Sequence, residues 1–318
     1  MSSSLYGRLD DVSGDAGYDD HPPRMGFFTD TSVCIGCKAC EVACKEWNQV
    51  PDDGYLLTGM SYDNTAALGA STWRHVAFVE KPFEAVAAQP PQEPPSARPT
   101  TDLGMPGSGP PGRDREHPSG EDQATESGDG GIRWLMSSDV CKHCTHAACL
   151  DVCPTGSLFR TEFGTVVVQP DICNGCGYCV PACPYGVIDL REDDGRAFKC
   201  TLCYDRLKEG QTPACAQACP TQSIQYGEVD ELRERARLRV AELHDKGVDV
   251  ARLYGADPDD GVGGDGAFFL LLDEPEVYGL PPDPVVTTRD LGSMWKHVGA
   301  AAATLVGLGV AAFAGRRR

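Results

Sequence analysis

Hydrophobic residues recur with the period of a helix in residues 230–246. The apolar side chains on one face are Leu232, Ala236, Val240 and Leu243. Arg and Glu cover the opposite face, which is the pattern of a helix that packs one side against a core. Gly247 follows this segment and can end the helix. The pattern therefore predicts an amphipathic packing helix.

Two shorter hydrophobic runs predict strands. Residues 267–272, AFFLLL, form a continuous apolar run of the length and composition of a buried strand. Residues 165–169, TVVVQ, are rich in β-branched residues and predict a second, short strand. This second run lies between a Cys–Pro pair and an Asp–Ile–Cys sequence, an order that is typical of a compact ferredoxin module.

The last hydrophobic run differs from the others in length. Residues 298–314 carry no charge, Trp295 and Lys296 precede them, and residues 316–318 are three arginines. Aromatic and basic residues at both ends are typical anchors of a membrane-spanning helix, although the run is slightly shorter than the roughly 20 residues expected. Small residues recur at every fourth position, which favours close helix packing in lipid: Gly299, Ala303, Gly307, Ala311 and Gly315. A buried helix of a soluble domain is the alternative.

Two segments lack hydrophobic periodicity altogether. Residues 1–26 are polar and rich in Asp and Gly, which predicts a flexible N-terminal arm. Residues 84–131 are rich in Pro and Gly and nearly free of aliphatic side chains, which predicts a disordered insertion. A tolerated surface loop and a functional tether both fit the insertion.

Composition and charge restrict the class of partner. The 318 residues carry 47 Asp and Glu against 28 Lys and Arg, a formal net charge of −19. A nucleic-acid-binding protein needs a basic surface, so this balance argues against that class and is explained by solubility. Gly (36) and Pro (24) are abundant, which predicts a loop-rich fold to which bound metal would contribute folding free energy.

Sixteen cysteines admit disulfides, zinc sites or iron–sulfur clusters. Residues 1–24 contain neither an apolar stretch nor an Arg-Arg pair, so no secretory or twin-arginine signal is expected there. We expect the cysteines to meet a reducing cytosol first, which argues against disulfides.

The cysteines fall into four blocks of four. The first and third blocks share the spacing C-x2-C-x2-C-x3-C: Cys34, Cys37, Cys40 and Cys44, then Cys173, Cys176, Cys179 and Cys183. This run is the signature of bacterial [4Fe–4S] ferredoxins. The glycines that permit the tight turns of these loops are Gly36, Gly175 and Gly177.

The second and fourth blocks are expanded versions of the same run. Their members are Cys141, Cys144, Cys149 and Cys153, then Cys200, Cys203, Cys215 and Cys219. Structural zinc normally uses separated C-x2-C pairs, so only the fourth block fits zinc by itself. The four blocks use every cysteine, and together they predict four [4Fe–4S] clusters.

The ligands of each cluster follow in part from geometry. In the ferredoxin run the fourth cysteine begins a departing segment and ligates the other cluster. Adjacent blocks two and three therefore exchange their fourth cysteines. This predicts cluster 3 from Cys141, Cys144, Cys149 and Cys183, and cluster 4 from Cys153, Cys173, Cys176 and Cys179.

Four other features near the blocks carry weaker signals. His143 and His146 are not needed as ligands, and we expect them to be exposed to solvent rather than to tune a cluster. Lys199 is interpreted either as a positive charge beside an anionic cluster or as an ordinary exposed lysine. Residues 261–266 match G-x-G-x-x-G, but they precede a strand instead of following one, so we reject a dinucleotide site.

No catalytic motif accompanies the cysteines. The sequence contains no G-x-S-x-G, no H-E-x-x-H and no P-loop. We therefore predict a non-catalytic electron carrier whose substrate chemistry belongs to a partner.

The four blocks, in this order and with these spacings, resemble the four-cluster β subunits of molybdopterin oxidoreductase complexes. The β subunits of membrane-bound formate dehydrogenases match most closely. The segments that carry the resemblance are CIGCKACEVACKEWN (34–48), YDN (62–64), CNGCGYC (173–179), FKCTLCYDR (198–206), PAC (213–215), CPT (219–221), GVGG (261–264), YGLP (278–281) and the single C-terminal hydrophobic helix. The insertion at 84–131 is longer than the family pattern, and no longer tail follows Arg318.

The resemblance implies the remaining ligands and the partners. It pairs block one with block four, giving cluster 1 from Cys34, Cys37, Cys40 and Cys219, and cluster 2 from Cys44, Cys200, Cys203 and Cys215. It implies a separate catalytic α subunit with a molybdenum or tungsten bis-pterin site, and a membrane cytochrome b or quinone-linked γ subunit. A β subunit of a dimethyl-sulfoxide-reductase-like enzyme or of a hydrogenase, and a zinc-stabilised scaffold, are the alternatives.

The expected fold class is α+β, with tandem bacterial-ferredoxin-like modules, many loops and one C-terminal transmembrane helix. The expected divisions are the arm (1–26), the four-cluster domain (27–83 and 132–228), the insertion (84–131), a helix-and-strand extension (229–292) and the transmembrane helix (298–314). Basic residues 316–318 favour a cytoplasmic C-terminus, with the cluster domain on the outer face of the cell membrane. Such a domain would cross with a twin-arginine-bearing α subunit; a cytoplasmic cluster domain is the rival arrangement.

Overall fold

The computed structural model describes residues 9, 11–52, 63, 65–82, 132–286, 288 and 291–315. The chain divides into two compact units, residues 1–79 with 135–318 and residues 80–134. All sixteen cysteines belong to the first unit. The insertion predicted at 84–131 lies outside the described residues.

Ten strands and seven α-helices alternate along the described chain. The strands are β1 (Met25–Asp30), β2 (Arg74–Pro82), β3 (Ile132–Val140), β4 (Leu158–Arg160), β5 (Val166–Val168), β6 (Asp189–Leu190), β7 (Ala197–Phe198), β8 (Ile224–Glu228), β9 (Arg252–Tyr254) and β10 (Ala267–Leu271). The helices are α1 (Ala39–Asn48), α2 (Ala148–Asp151), α3 (Cys179–Ala182), α4 (Tyr204–Lys208), α5 (Ala214–Gln217), α6 (Val229–Asp245) and α7 (Leu291–Gly315). This mixture is that of an α+β protein.

The largest sheet has four strands in the order β8-β1-β10-β9. Strand β1 lies parallel to β10, with Phe28 opposite Phe268, and antiparallel to β8. The two phenylalanine rings stack with centroids 5.5 Å apart. Every residue of β10 is buried, as expected for a strand covered on both faces, so the predicted strand at 267–272 is confirmed except for its last residue.

Helix α6 packs against this sheet. Its buried residues include Leu232, Ala236 and Leu243, while Val240 is partly buried against the same cluster. The predicted apolar face is therefore confirmed. Gly247 follows with φ +80° and donates from its N–H to the carbonyl of His244 at 2.8 Å, which ends the helix where the sequence predicted.

Short hairpins build the ferredoxin-like part. Strands β4 and β5 pair antiparallel with Leu158 opposite Val168, and β6 and β7 pair in the same way. The strand predicted at 165–169 is β5, which lies between the second and third cysteine blocks. Residues of both hairpins, among them Leu158, Val168 and Ala197, pack with cysteines of the second and third blocks in one hydrophobic cluster.

The structure differs from the expected flexible arm in residues 11–26. Val12 and Ser13 are buried, and strand β1 begins at Met25. The reason is Arg24, whose guanidinium donates to Thr145 Oγ1 at 2.7 Å and to the carbonyl oxygen of His143 at 2.9 Å. These bonds tie the segment to the second cysteine block, a link that local composition does not reveal.

Helix α7 extends the hydrophobic segment predicted at 298–314 to a helix that begins at Leu291. Among the described residues it is the one helix long and apolar enough to cross a membrane. No part of its most hydrophobic stretch is buried in the isolated chain, and Trp295, in the first turns of the helix, is 70% exposed. The helix is therefore not part of a core formed by the described residues.

Candidate metal centres

All sixteen cysteines are free thiols. Among the described residues, no group of three or more His, Cys, Asp or Glu side chains converges on a point where a single metal ion would bind. Cysteines instead line two small cavities, with four in each.

The predicted ligands of cluster 1 line a single small cavity. Its cysteines are Cys34, Cys37, Cys40 and Cys219. The loop turns at Gly36, where φ is +65° and a Cβ atom would lie 2.6 Å from Met136 Sδ. Only glycine fits this turn. Ser138 reaches the same cavity, with its Oγ 3.2 Å from Cys40 Sγ.

The predicted ligands of cluster 2 converge around helices α1 and α5. Cys44 interacts electrostatically with the other three members, which are Cys200, Cys203 and Cys215. Asn48 Nδ2 points to two of these sulfurs, at 3.7 Å from Cys44 Sγ and 3.8 Å from Cys203 Sγ. The backbone N–H of Leu202 donates to Cys200 Sγ at 3.3 Å.

The predicted ligands of cluster 3 line a second small cavity. They are Cys141, Cys144, Cys149 and Cys183. Val187 and Ile188 share the lining, so the site excludes water on that side. Burial raises the pKa of the Cys149 thiol well above its ordinary value, because the charged form is desolvated.

The predicted ligands of cluster 4 meet at the third block. Cys179 interacts electrostatically with Cys153, Cys173 and Cys176. The backbone N–H of Ala197 donates to Cys173 Sγ at 3.4 Å. Burial opposes ionisation of Cys153, but the N–H groups of Leu158, Thr155 and Ser157 outweigh it and lower the pKa of this thiol.

These surroundings fit iron–sulfur clusters. Backbone N–H groups aimed at cysteine sulfurs stabilise the negative charge of a ligated cluster. Burial raises the pKa of Cys40 and Cys203 to about 11, so these sulfurs are neutral thiols near pH 7 until a metal displaces the proton. In each proposed set, the cysteines would lose their protons and hold the iron of a cluster as thiolates.

Buried cations lie among the sulfurs. Lys199 is 1% exposed, and its Nζ donates to the carbonyl oxygens of Val166 and Cys200. Burial alone would lower the pKa of Lys199, but the sulfurs of Cys141, Cys149 and Cys200 raise it. The interpretation of Lys199 as an ordinary exposed lysine is therefore wrong.

The expectation that His143 and His146 are exposed is wrong, because each is 1% exposed. The N–H of Val166 donates to His143 Nδ1 at 3.1 Å. Burial, reinforced by Lys199, lowers the pKa of His143 well below its ordinary value, so the ring is neutral. A neutral acceptor stabilises the loop without adding a charge.

The glycine-rich segment at 261–264 supports the second cysteine block instead of binding a nucleotide. Gly263 has φ +76°, and a Cβ atom there would lie 2.4 Å from His146 Cδ2. The N–H of Thr145 donates to the carbonyl oxygen of Gly264 at 3.0 Å. The segment therefore needs glycine for a close approach to the ligand loop, which explains a motif that the sequence left without a role.

Sequence reasoning missed two residues near the sulfurs. Asp265 is fully buried and accepts a hydrogen bond from Tyr185 Oη at 2.8 Å, and burial raises the pKa of Asp265 to about 7. Arg74 is 1% exposed within the first unit. No local motif marks either residue, because their partners lie far away in the sequence.

Two family models of the 4Fe-4S dicluster domain match the chain, one over residues 33–157 and the other over residues 132–229. The chain is 36% identical over 281 residues to the iron–sulfur subunit of the nitrate-inducible formate dehydrogenase of Escherichia coli, covering 87% of this chain and 78% of that protein. It is 36% identical to the formate dehydrogenase iron–sulfur subunit of Haemophilus influenzae, covering 88% of this chain and 75% of that protein. The B subunit of the anaerobic dimethyl sulfoxide reductase of E. coli is 31% identical, covering 67% of this chain and 77% of that protein.

Proposed function

The chain belongs to the family of formate dehydrogenase iron–sulfur subunits, and we propose on this basis that it relays electrons through four [4Fe–4S] clusters. The electrons would come from a catalytic α subunit with a molybdenum or tungsten pterin site. They would pass to a membrane cytochrome b or quinone-linked γ subunit. It is an electron-transfer subunit and not the catalytic one. Formate oxidation would take place in the partner.

Two small cavities, each lined by four cysteines, are the observation that supports this proposal. We assign cluster 1 to Cys34, Cys37, Cys40 and Cys219, cluster 2 to Cys44, Cys200, Cys203 and Cys215, cluster 3 to Cys141, Cys144, Cys149 and Cys183, and cluster 4 to Cys153, Cys173, Cys176 and Cys179. When bound, each cluster would supply a redox centre whose potential depends on nearby hydrogen bonds, charge and solvent exposure.

Exposed cysteines in two of the proposed sets support docking of two partners. Cys37 of the proposed cluster 1 is exposed, next to Ile35, which is 58% exposed. Cys176 of the proposed cluster 4 is also exposed, next to Tyr178, which is 62% exposed. Apolar side chains beside an exposed ligand are suited to an interface that excludes water between redox centres.

The membrane connection is helix α7. We propose that its segment 298–314 spans the cell membrane once, with basic residues 316–318 on the cytoplasmic side and the cluster domain on the outer face. The small residues along this helix would face a helix of the γ subunit.

A second candidate function rests on the 31% identity to the B subunit of the dimethyl sulfoxide reductase. The same relay would then serve a different molybdopterin α subunit. The identity of the copurified α subunit separates the two candidates, because the iron–sulfur content would be the same in both.

The test is anaerobic purification from native membranes with all bound partners. We expect a pterin-containing α subunit and a haem-containing membrane subunit, iron and sulfide for four cubane clusters in this chain, and formate-dependent reduction of a dye by the complex. Half of that iron with stoichiometric zinc would contradict the cluster assignment. Four clusters without formate activity, but with activity on an S-oxide, would favour the second candidate.

A further inference from the structure

A buried arginine lies between two of the cysteine sets. Arg74, the first residue of β2, is 1% exposed. Its Nη1 donates to the carbonyl oxygen and to the Oγ of Ser138, both at 3.2 Å. The other two guanidinium nitrogens, Nε and Nη2, have no hydrogen-bond partner among the described residues. Unpaired buried donors are rare, so this guanidinium needs a further acceptor.

The charge of Arg74 also needs a counter-ion. Within the described part of the chain, no carboxylate forms an ion pair with it. The groups that interact electrostatically with the buried guanidinium are instead the sulfurs of Cys215, Cys40, Cys200 and Cys44. As thiolate ligands of iron, these sulfurs would be the negative groups that Arg74 faces.

The four sulfurs belong to two different sets. Cys40 is a proposed ligand of cluster 1, whereas Cys44, Cys200 and Cys215 are proposed ligands of cluster 2. Ser138 strengthens the first link, because the Oγ that accepts from Arg74 lies 3.2 Å from Cys40 Sγ. Phe27, on whose ring the guanidinium packs, lies in one hydrophobic cluster with Cys40 of the first set and with Cys200 and Cys215 of the second. The guanidinium therefore lies beside both sets.

We propose that Arg74 is a shared counter-cation of clusters 1 and 2 that raises the reduction potentials of both, an inference that rests on the proposed ligand sets. A buried positive charge stabilises the more negative, reduced cluster over the oxidised one. The unpaired Nε and Nη2 groups are available to donate to sulfur, which acts in the same direction. Because one charge serves both centres, their potentials are raised together.

A purely structural role is the competing explanation. The guanidinium carbon of Arg74 lies 4.9 Å from the ring centroid of Phe27, so the side chain also packs in the core. Loss of packing would reduce thermal stability in any arginine variant. It would not shift a midpoint potential in proportion to charge, so potentials distinguish the two roles.

The experiment is a redox titration of the purified complex, followed by electron paramagnetic resonance, on the unmodified chain and on Arg74→Met and Arg74→Lys. We expect Arg74→Met to make the midpoint potentials of two of the four clusters more negative. The shift should correspond to a tenfold or larger change in the ratio of oxidised to reduced cluster, which is about 59 mV for one electron. Arg74→Lys should change both midpoint potentials by only a small part of that shift, because the charge is retained.

Arg160→Met is the matched control. Arg160 is also buried, but the thiols near its guanidinium are Cys144 and Cys149 of the proposed cluster 3. Its removal should leave the two midpoints that depend on Arg74 unchanged. If Arg74→Met and Arg160→Met shifted the same midpoint potentials, the assignment of Arg74 to clusters 1 and 2 would be overturned.

The remaining outcomes are decisive as well. Unmoved midpoints in Arg74→Met, or equal shifts in Arg74→Met and Arg74→Lys, would overturn the proposal. If Arg74→Met loses iron, the proposal requires that only two clusters are lost and that Arg74→Lys retains both. An unmodified chain with fewer than four clusters would contradict the proposed function itself, whereas four clusters with unmoved midpoints would contradict only the role of Arg74.

Discussion

Cys40 and Cys44 are four residues apart in helix α1, yet their sulfurs have different neighbours. Cys40 lies in a cavity with Cys34 and faces Ser138, whereas Cys44 faces Asn48 and the fourth cysteine block. Residues four apart share a helix face one turn from each other, so their sulfurs are offset along the helix axis. Under the proposed assignment, a single helical turn thus separates two ligand sets.

Substituting these two cysteines one at a time should affect different clusters. We expect Cys40→Ser to alter the signal of cluster 1 and Cys44→Ser that of cluster 2, because serine oxygen is a poorer ligand of iron than thiolate. Electron paramagnetic resonance of each reduced variant checks this. A loss of one and the same signal in both variants would show that all four cysteines of the first block bind one cluster.

Single polar residues were the least predictable feature of the site. The glycines of the ligand loops were predictable, because a positive φ is needed there, and Gly36, Gly175 and Gly177 have it. The burial of His143 was not, because it depends on the N–H of Val166, which only the folded chain brings near. Arg74 was overlooked for the same reason, since its partner Ser138 is on another strand.

Helix α6 owes its position to a narrow apolar face. Leu232 is 1% exposed, whereas Leu238 on the same helix is 64% exposed. The helix contains many Arg and Glu residues, whose pairs on the surface contribute little to stability. Burial of the apolar face against β1 and β8 is therefore the main source of its stability.

Leu232→Ala should destabilise the protein by about 2–5 kcal/mol, because it removes buried methyl groups and leaves a cavity. Leu238→Ala is the matched control and should change the free energy of unfolding by no more than about 0.5 kcal/mol. Thermal unfolding under anaerobic conditions, followed by the visible absorbance of the clusters, measures both. Equal melting temperatures for the two variants would show that the α6 face does not support the cluster domain.

Elements with a strong local period were predictable, and those fixed by distant partners were not. The period of α6 and the apolar run of β10 are properties of their own residues. Strand β1 has no such signal at its start, because Met25 and Gly26 become a strand by pairing with β8. The sequence therefore placed the start of the folded domain after residue 26, whereas the structure orders residues 11–24 through Arg24.

The whole molecule combines a compact cluster unit with the long apolar helix α7. The two parts have opposite solvent requirements, because residues 298–314 are uncharged whereas the chain as a whole has a net charge of −19. An apolar helix of this length is stable as a single element only in lipid or against another apolar surface. The strongly acidic remainder stays in water.

Protease treatment of spheroplasts tests the proposed orientation. A tag added after residue 318 should be protected, and the cluster domain should be cleaved or accessible to labelling, because residues 316–318 favour the cytoplasmic side. In permeabilised spheroplasts the tag should become cleavable, which is the control for protection by the membrane. Cleavage of the tag in intact spheroplasts, with the cluster domain left intact, would show that the orientation is the opposite of the proposed one.

The pairing of β1 with β10 has a consequence for the time course of synthesis. Phe27 lies opposite Ala267, about 240 residues later, so at roughly 5–20 residues per second a ribosome needs about 10–50 s to supply the partner strand. Under the proposed ligand sets, Cys34 also waits for Cys219, whereas residues 141–183 contain all the ligands of clusters 3 and 4. The clusters of the middle of the chain are then the first that an iron-delivery machinery could fill. Under the same ligand sets, the thiols of the first block must be kept reduced and unpaired until the fourth block leaves the ribosome.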